Sequence, residues 1–279
     1  MKLLSKEKFS WFLKRHPMFF YIRYLLLSVN HKGKSSDDMG CFNQINDPKD
    51  ICRLYFEVNS QIEIDANADE FEKALQIARF LRMKIPVGPA LSLSSQKTLE
   101  AVMQGKGAVC SDFSLLFNIF CLINNIKVKE WNCVDRFYKS NYGHNFNEIY
   151  SSRLKKWIAV DAHMGVYFVG DDKNIPLSVV ELFKYRRKGN DLNHVNFSDY
   201  IHKNVERMNM IYSGFTIPFL IVNFKNDDND YFLNKFQGIP SFAINAMLIL
   251  KRKNYQFLFV LDDYKVKLLP KYFQDLASD

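Results

Sequence analysis

Three side chains in this sequence have the types and the order to carry out acyl transfer: the thiol of Cys110, the imidazole of His144 and the carboxylate of Asp161. A thiol attacks a carbonyl only as its thiolate. Two features favour that anion: the partial positive charge at a helix N-terminus and a nearby imidazolium. Cys110 follows Gly105 and Gly107 and precedes an apolar run from Phe113 to Ile123, so the spacing predicts a thiol at the start of a long helix. The two glycines permit the tight turn and close backbone approach of such an entry. Backbone N–H groups at the same helix start can also hold an oxyanion. His144 and Asp161 come from later segments that read as neighbouring strands. Paired strands bring side chains within hydrogen-bond reach, so Asp161 can fix the tautomer of His144 and stabilise its charged form.

The elements that must position these groups are legible from periodicity. Asp69 to Lys84 has Phe71, Ala74, Leu75, Ala78 and Leu81 at helical spacing, with Asp69 and Glu70 in the first turn and Pro86 after the end. A second helix is expected from Ser95 to Gln104, stopping at Gly105. After the Cys110 helix, Asn124-Asn125 closes the element and Lys127 to Val134 reads as a strand. His144 to Tyr150 alternates polar and apolar residues, Ser151 to Lys156 is a polar turn, and Trp157 to Val160 is the returning strand. Further on, helices are expected around Ser178 to Arg187 and Ser198 to Tyr212, and strands at Phe215 to Phe224 and Tyr255 to Leu261. Residues 1–30 read as two helices broken at Pro17, and residues 31–50 as loop.

Together these motifs resemble a known family. Gly-x-Gly-x-x-Cys-x-Asp entering an apolar helix, then Gly143-His144-x-Phe146-x-Glu148, then Trp157-x-x-Val160-Asp161, is similar to the transglutaminase-like superfamily, over about residues 65–170. The resemblance implies a papain-like cysteine fold with Cys110 as nucleophile, His144 as general base and Asp161 as orienter. Two positions depart from the usual pattern. Ser111 stands where many members have an aromatic residue, and Asn145-Phe146 where a small residue and Trp are usual. Neither removes a triad member, but both bear on the substrate groove. Gln104, six residues before the Cys, has the spacing a papain-type protease uses for its oxyanion donor, and Trp131 is a second candidate.

The expected fold is therefore α+β: a Cys-bearing helix packed on an antiparallel sheet. The chain divides into an N-terminal helical segment (1–60), a catalytic core (61–170) and a C-terminal portion of helices and strands packed on it (171–279). The expected function is cysteine-dependent acyl transfer, with hydrolysis of an amide in a peptide or protein substrate preferred. Transamidation onto an amine and a catalytically silent scaffold are the alternatives. No cofactor and no metal are expected, since no ligand spacing appears.

Composition bounds the rest. The 279 residues are long enough for a substantial core, and 48% hydrophobic with 24% charged excludes a disordered chain. The net charge is +8, but residues 1–35 hold eight Lys and Arg against Glu7 alone, leaving the remainder nearly neutral. That argues against a nucleic-acid surface on the folded body. The basic segment interleaves with aromatics such as Trp11, Phe19 and Tyr24. Residues 1–30 suit a peripheral membrane or protein contact, although a packed helix pair with solvated lysines is the simpler reading. Five cysteines without a CxxC spacing fit reduced thiols and a cytoplasmic protein. Cys121 reads as core, Cys133 as packing, and Cys41 and Cys52 as bystanders. His163, two residues past Asp161, reads as a loop histidine, although strand alternation can point it into the same cleft. Asp227-Asp228-Asn229-Asp230 lacks the glycine and terminal glutamate of a calcium loop and reads as a polar turn.

Overall fold

The computed structural model describes residues 28–30, 35–134, 143–197, 205–236, 239, 241–251, 253 and 256–259. The expected helices at residues 1–27 and their membrane or protein contact lie outside these residues, as do 198–204 of one expected helix. The described part of the chain forms β1 (Ser28–Asn30), α1 (Arg53–Asn59), α2 (Glu70–Lys84), α3 (Ser95–Met103), α4 (Cys110–Ile123), β2 (Val128–Val134), β3 (Gly143–Ser151), β4 (Lys156–Asp161), β5 (Val166–Val169), α5 (Val179–Arg187), β6 (Asn193–Asn196), α6 (Val205–Ile211), β7 (Ile217–Val222), α7 (Asn226–Lys235), α8 (Ser241–Leu250) and β8 (Gln256–Phe259). This is the α+β arrangement expected, with helices against a mostly antiparallel sheet.

One sheet joins all the strands, in the order β1-β8-β7-β2-β3-β4-β5-β6. Every pairing is antiparallel except β1 with β8. The register sets Trp131 opposite Phe146, Cys133 opposite His144, and Asn147 opposite Val160. Because side chains alternate, the same strands build two different cores. On one face, Val128, Ile149, Ile158 and Val160 pack with Phe113, Leu116, Phe117 and Phe120 of α4 and with the apolar stripe of α2. On the other, Trp131, Phe146 and Ala159 pack with Val179, Leu182 and Phe183 of α5 and with Met208, Ile211 and Tyr212. The sheet is thus covered by helices on both sides, the arrangement that buries both of its faces.

The helices form where caps and periodicity direct. Asp69 caps α2 by accepting the Glu72 N–H at 2.9 Å, Glu70 and Glu72 occupy its first turn, and Arg82 and Lys84 its last, matching the dipole at both ends. In α4 the Asp112 carboxylate reaches back to accept the Val109 N–H at 3.1 Å. Cys121 is fully buried in this helix, and burial pushes its thiol well above the ordinary value, as expected of a core cysteine. Cys133 is buried too.

Three expectations change. Residues 28–30, read as helix, are a strand. The acidic run at 227–230 is the beginning of α7, where Asp227 and Asp228 sit in the first turn and meet the positive end of the helix dipole. The short strands β5 and β6 are additions to the expected set, since four residues carry too little alternation to register. In addition, β7 of the C-terminal portion pairs directly with β2 (Leu220 opposite Trp131), so a single sheet runs through both the expected core and the expected extension.

A buried polar group stitches the second face together. Glu148 accepts the Trp131 indole N–H at 3.0 Å and the Val179 N–H at the start of α5 at 2.8 Å. Burial raises its pKa to about 6, opposed by the neighbouring Lys129. Lys129 is itself buried, donating to the Ser36 carbonyl at 2.6 Å and lying 3.8 Å above the Trp157 ring. Removing the Glu148 carboxylate strands an indole N–H, a helix-terminal N–H and a buried ammonium. We expect Glu148→Ala to lower the unfolding free energy by about 3 kcal/mol, and Glu148→Gln by less, measured by urea denaturation at pH 7.

Candidate active site

The chain enters Cys110 along a rigid track. Gly105 has φ +84, a left-handed conformation that favours glycine. Ala108 accepts the Gly88 N–H at 3.0 Å and donates to the Pro86 carbonyl at 2.9 Å. Gly88 and Gly107 face each other so closely that a Cβ on Gly107 would come within 2.7 Å of the Gly88 Cα. The two segments therefore touch backbone to backbone, and Cys110 comes next as the first residue of α4, half-buried.

His144 lies on β3, 3% exposed, and its Nε2 meets Asp161 Oδ2 at 2.7 Å. The Cys110 thiol lies near enough to contribute to the electrostatics of the same ring. Phe146 stacks on the imidazole at 6.2 Å, and Tyr212 and His163 meet it edge-on at 6.0 and 5.7 Å. Asp161 ends β4 and is completely buried. Its Oδ2 also accepts the Tyr212 hydroxyl at 2.7 Å, and Oδ1 accepts the Met164 N–H at 2.9 Å. Burial alone would suppress the charge on both partners. For His144 the Asp161 carboxylate, with help from Cys110, overcomes it and lifts the ring pKa to about 10. For Asp161 the imidazolium, aided by His163 and the Tyr212 hydroxyl, holds the carboxyl below its ordinary value. At neutral pH the pair is an imidazolium and a carboxylate.

The remaining expected residues fall elsewhere. Trp131 is fully buried and its single donor is committed to Glu148, so the structure does not present it as an oxyanion donor. Gln104 caps the C-terminus of α3 with an exposed side chain, on the loop that leads to Cys110. His163 lies in the turn after β4, as expected, but it does not face solvent. It is 5% exposed and packs edge-on against Phe113 and His144. Ligand atoms of His144, Asp161 and His163 lie within 4.8 Å of one another, so these three have the donors to hold a divalent cation. Sequence spacing shows no such pattern, because one of the three comes from a different strand. Tyr212, just past α6, is a site residue beyond the expected set, and nothing in its local sequence marks it.

A thiol at a helix start beside a His–Asp pair on antiparallel strands places the fold among papain-like cysteine folds. More narrowly, residues 58–162 match the family model of the transglutaminase-like superfamily. No curated protein matches the chain. Among solved structures it is similar to a candidate cysteine protease from Cytophaga hutchinsonii, at 16% identity and a TM-score of 0.33, over 50% of this chain and 46% of that one. The likeness spans less than half of that protein and is too distant to bear on function.

Two measurements probe the geometry. Tyr212→Phe keeps the ring packing but removes one donor from a buried carboxylate. We expect it to cost about 2 kcal/mol in urea denaturation at pH 7. The His144 pKa is about 10 in the folded protein against 6.5 unperturbed, so its contribution to stability is complete below about pH 6.5 and disappears as pH rises through 10. The stability gap between wild type and His144→Gln is therefore expected to be widest near pH 6 and to narrow towards pH 10.

Proposed function

We propose that this protein is a cysteine-dependent acyl-transfer enzyme, most simply a peptidase or amidase, with Cys110, His144 and Asp161 as its triad. One observation carries the reading: His144 meets the buried Asp161 carboxylate at 2.7 Å, and the thiol at the start of α4 contributes to the charge around the same ring. That is the nucleophile–base–orienter relation. The transglutaminase-like core supports it.

In this mechanism the Cys110 sulfur attacks the amide carbonyl carbon. The carbonyl oxygen takes up negative charge, for which backbone N–H groups at the start of α4 are the nearest fixed dipoles. The tetrahedral adduct collapses with cleavage of the C–N bond. The His144 imidazolium, its Nε2–H held by Asp161, gives its Nδ1 proton to the leaving nitrogen, so an amine departs and a thioester remains on Cys110. Water then attacks the thioester, His144 takes its proton, and the acid leaves as the sulfur regains that proton or shares it with His144. Asp161 holds the ring in place throughout and offsets its charge. The same thioester passes to an amine if one occupies the acceptor position instead of water.

The test is a panel of quenched fluorescent peptides, isopeptides and a glutamine donor with a fluorescent amine, offered to wild type and to Cys110→Ala. We expect turnover of at least one substrate by the wild type, reduced by on the order of a thousandfold or more in the variant. Iodoacetamide at pH 7 should modify Cys110 faster than Cys52, and His144→Ala should slow that reaction. Turnover that survives Cys110→Ala, or a Cys110 no more reactive than Cys52 at pH 7, would refute the assignment.

A further inference from the structure

A cavity of about 640 Å³ lies at the end of the sheet remote from the triad. Tyr150 and Trp157, paired across β3 and β4, form part of its wall. Tyr150 stands six residues along β3 from His144, and Trp157 four residues along β4 from Asp161. Strand lengths of about 20 Å and about 13 Å therefore separate the cavity from the triad. The two rings meet edge to face at 5.5 Å, and Met39 adds apolar surface beside them. The triad chemistry makes no use of this space.

Its charge is uneven. Lys127, Lys155 and Lys156 line the cavity against the carboxyl groups of Asp37 and Glu181. Glu181 is paired with Lys156 at 2.7 Å, and Asp37 lies in the field of the buried Lys129. Lys127 and Lys155 form no ion pair among the described residues. The Lys127 ammonium lies 5.7 Å from the centre of the Tyr150 ring, which holds it beside the aromatic wall. Lys155 ends the turn between β3 and β4 with φ +52, a left-handed conformation that favours glycine. A side chain there strains the hairpin, yet the position carries a lysine that lines the cavity. Gln44 accepts the Cys41 N–H through Oε1 at 3.2 Å, which leaves its NH2 group to donate.

We propose that this cavity binds a planar aromatic ring joined to a phosphate, of the size of a nucleoside monophosphate. The volume falls in the range of pockets that enclose a small organic ligand. The rings of Tyr150 and Trp157 suit a flat partner. A phosphomonoester carries about two negative charges at neutral pH, which matches the two lysines that have no carboxylate of their own. Lysine meets phosphate as a point charge on a flexible stem, so two of them can approach from different sides. The N-terminus of α5 borders the cavity, but its Ser178, Val179 and Glu181 N–H groups are taken by Glu181, Glu148 and Ser178 respectively. The counter-charge therefore comes from the lysines and not from the helix. The overall charge of +8 also draws an anion towards the chain.

The test is isothermal titration calorimetry of the full chain at pH 7 with AMP, GMP, CMP and UMP. The matching nucleosides supply the ring without the phosphate, and ribose 5-phosphate supplies the phosphate without the ring. At least one nucleotide should bind at least about tenfold more tightly than both its nucleoside and ribose 5-phosphate. Lys127→Gln and Lys155→Gly should each weaken that nucleotide by at least about fivefold, whereas Lys97→Gln, a change of equal charge on α3, should not. Lys155→Gly also relieves the left-handed strain, so its thermal midpoint should match or exceed that of wild type, which separates lost binding from lost folding. Cys110→Ala should bind the nucleotide as wild type does, so this site stands or falls independently of acyl transfer. No nucleotide preferred over ribose 5-phosphate, unchanged affinity in the two cavity variants, or an equal loss in Lys97→Gln would overturn the proposal.

Discussion

The contact between His144 and Asp161 is the constraint around which this structure is arranged. Two opposite charges 2.7 Å apart in a dry interior attract strongly, but each has lost its water, and such pairs gain little unless the remaining lone pairs and protons are also satisfied. Here they are satisfied from four directions. β3 brings the imidazole, β4 the carboxylate, the turn after β4 the Met164 N–H, and the segment after α6 the Tyr212 hydroxyl. The aromatic rings of Phe146 and Tyr212 hold the imidazole laterally. Register, sheet order and the covering helices must all be correct before the pair can exist, so the site samples the whole second core.

Much of the site is legible in the sequence, because the elements that carry it are strongly periodic. The α2 stripe, the apolar run of α4 and the alternation in β3 each fix a local structure, and chain topology then supplies the order thiol, imidazole, carboxylate. Tertiary docking decides the rest, and local patterns do not report it. Tyr212 bonds Asp161 because α6 settles on the second face of the sheet, and no local pattern states where a helix will dock. Trp131 reads as available in the sequence because its partner Glu148 lies on another strand. The direction of His163 depends on how β4 ends. The start of α7 reads as a turn because Asp and Asn favour turns and helix N-termini for related reasons, and composition alone does not separate the two.

The two faces of the β2–β3 pair handle buried acid in contrasting ways. On one, Glu148 is held by an indole, a helix terminus and a lysine, and serves as a structural junction. On the other, Glu130 is held among the described residues by the amides of Asn118 and Asn145 and lines a groove with Ser111. Two glutamates on neighbouring strands thus have separate surroundings because a pleated backbone sends them to opposite sides.

The pairing of β7 with β2 has a consequence for where this unit can be cut. The superfamily segment stops at residue 162, before β5 and β7. Severed from the C-terminal strands and helices, β2 and β4 would each present an unpaired row of amides and carbonyls, and Trp131 and Phe146 would lose the helices that cover them. Open edges next to bare aromatic surface are templates for self-association. The smallest piece of this chain able to stay monomeric is therefore considerably larger than the stretch by which its kinship is recognised.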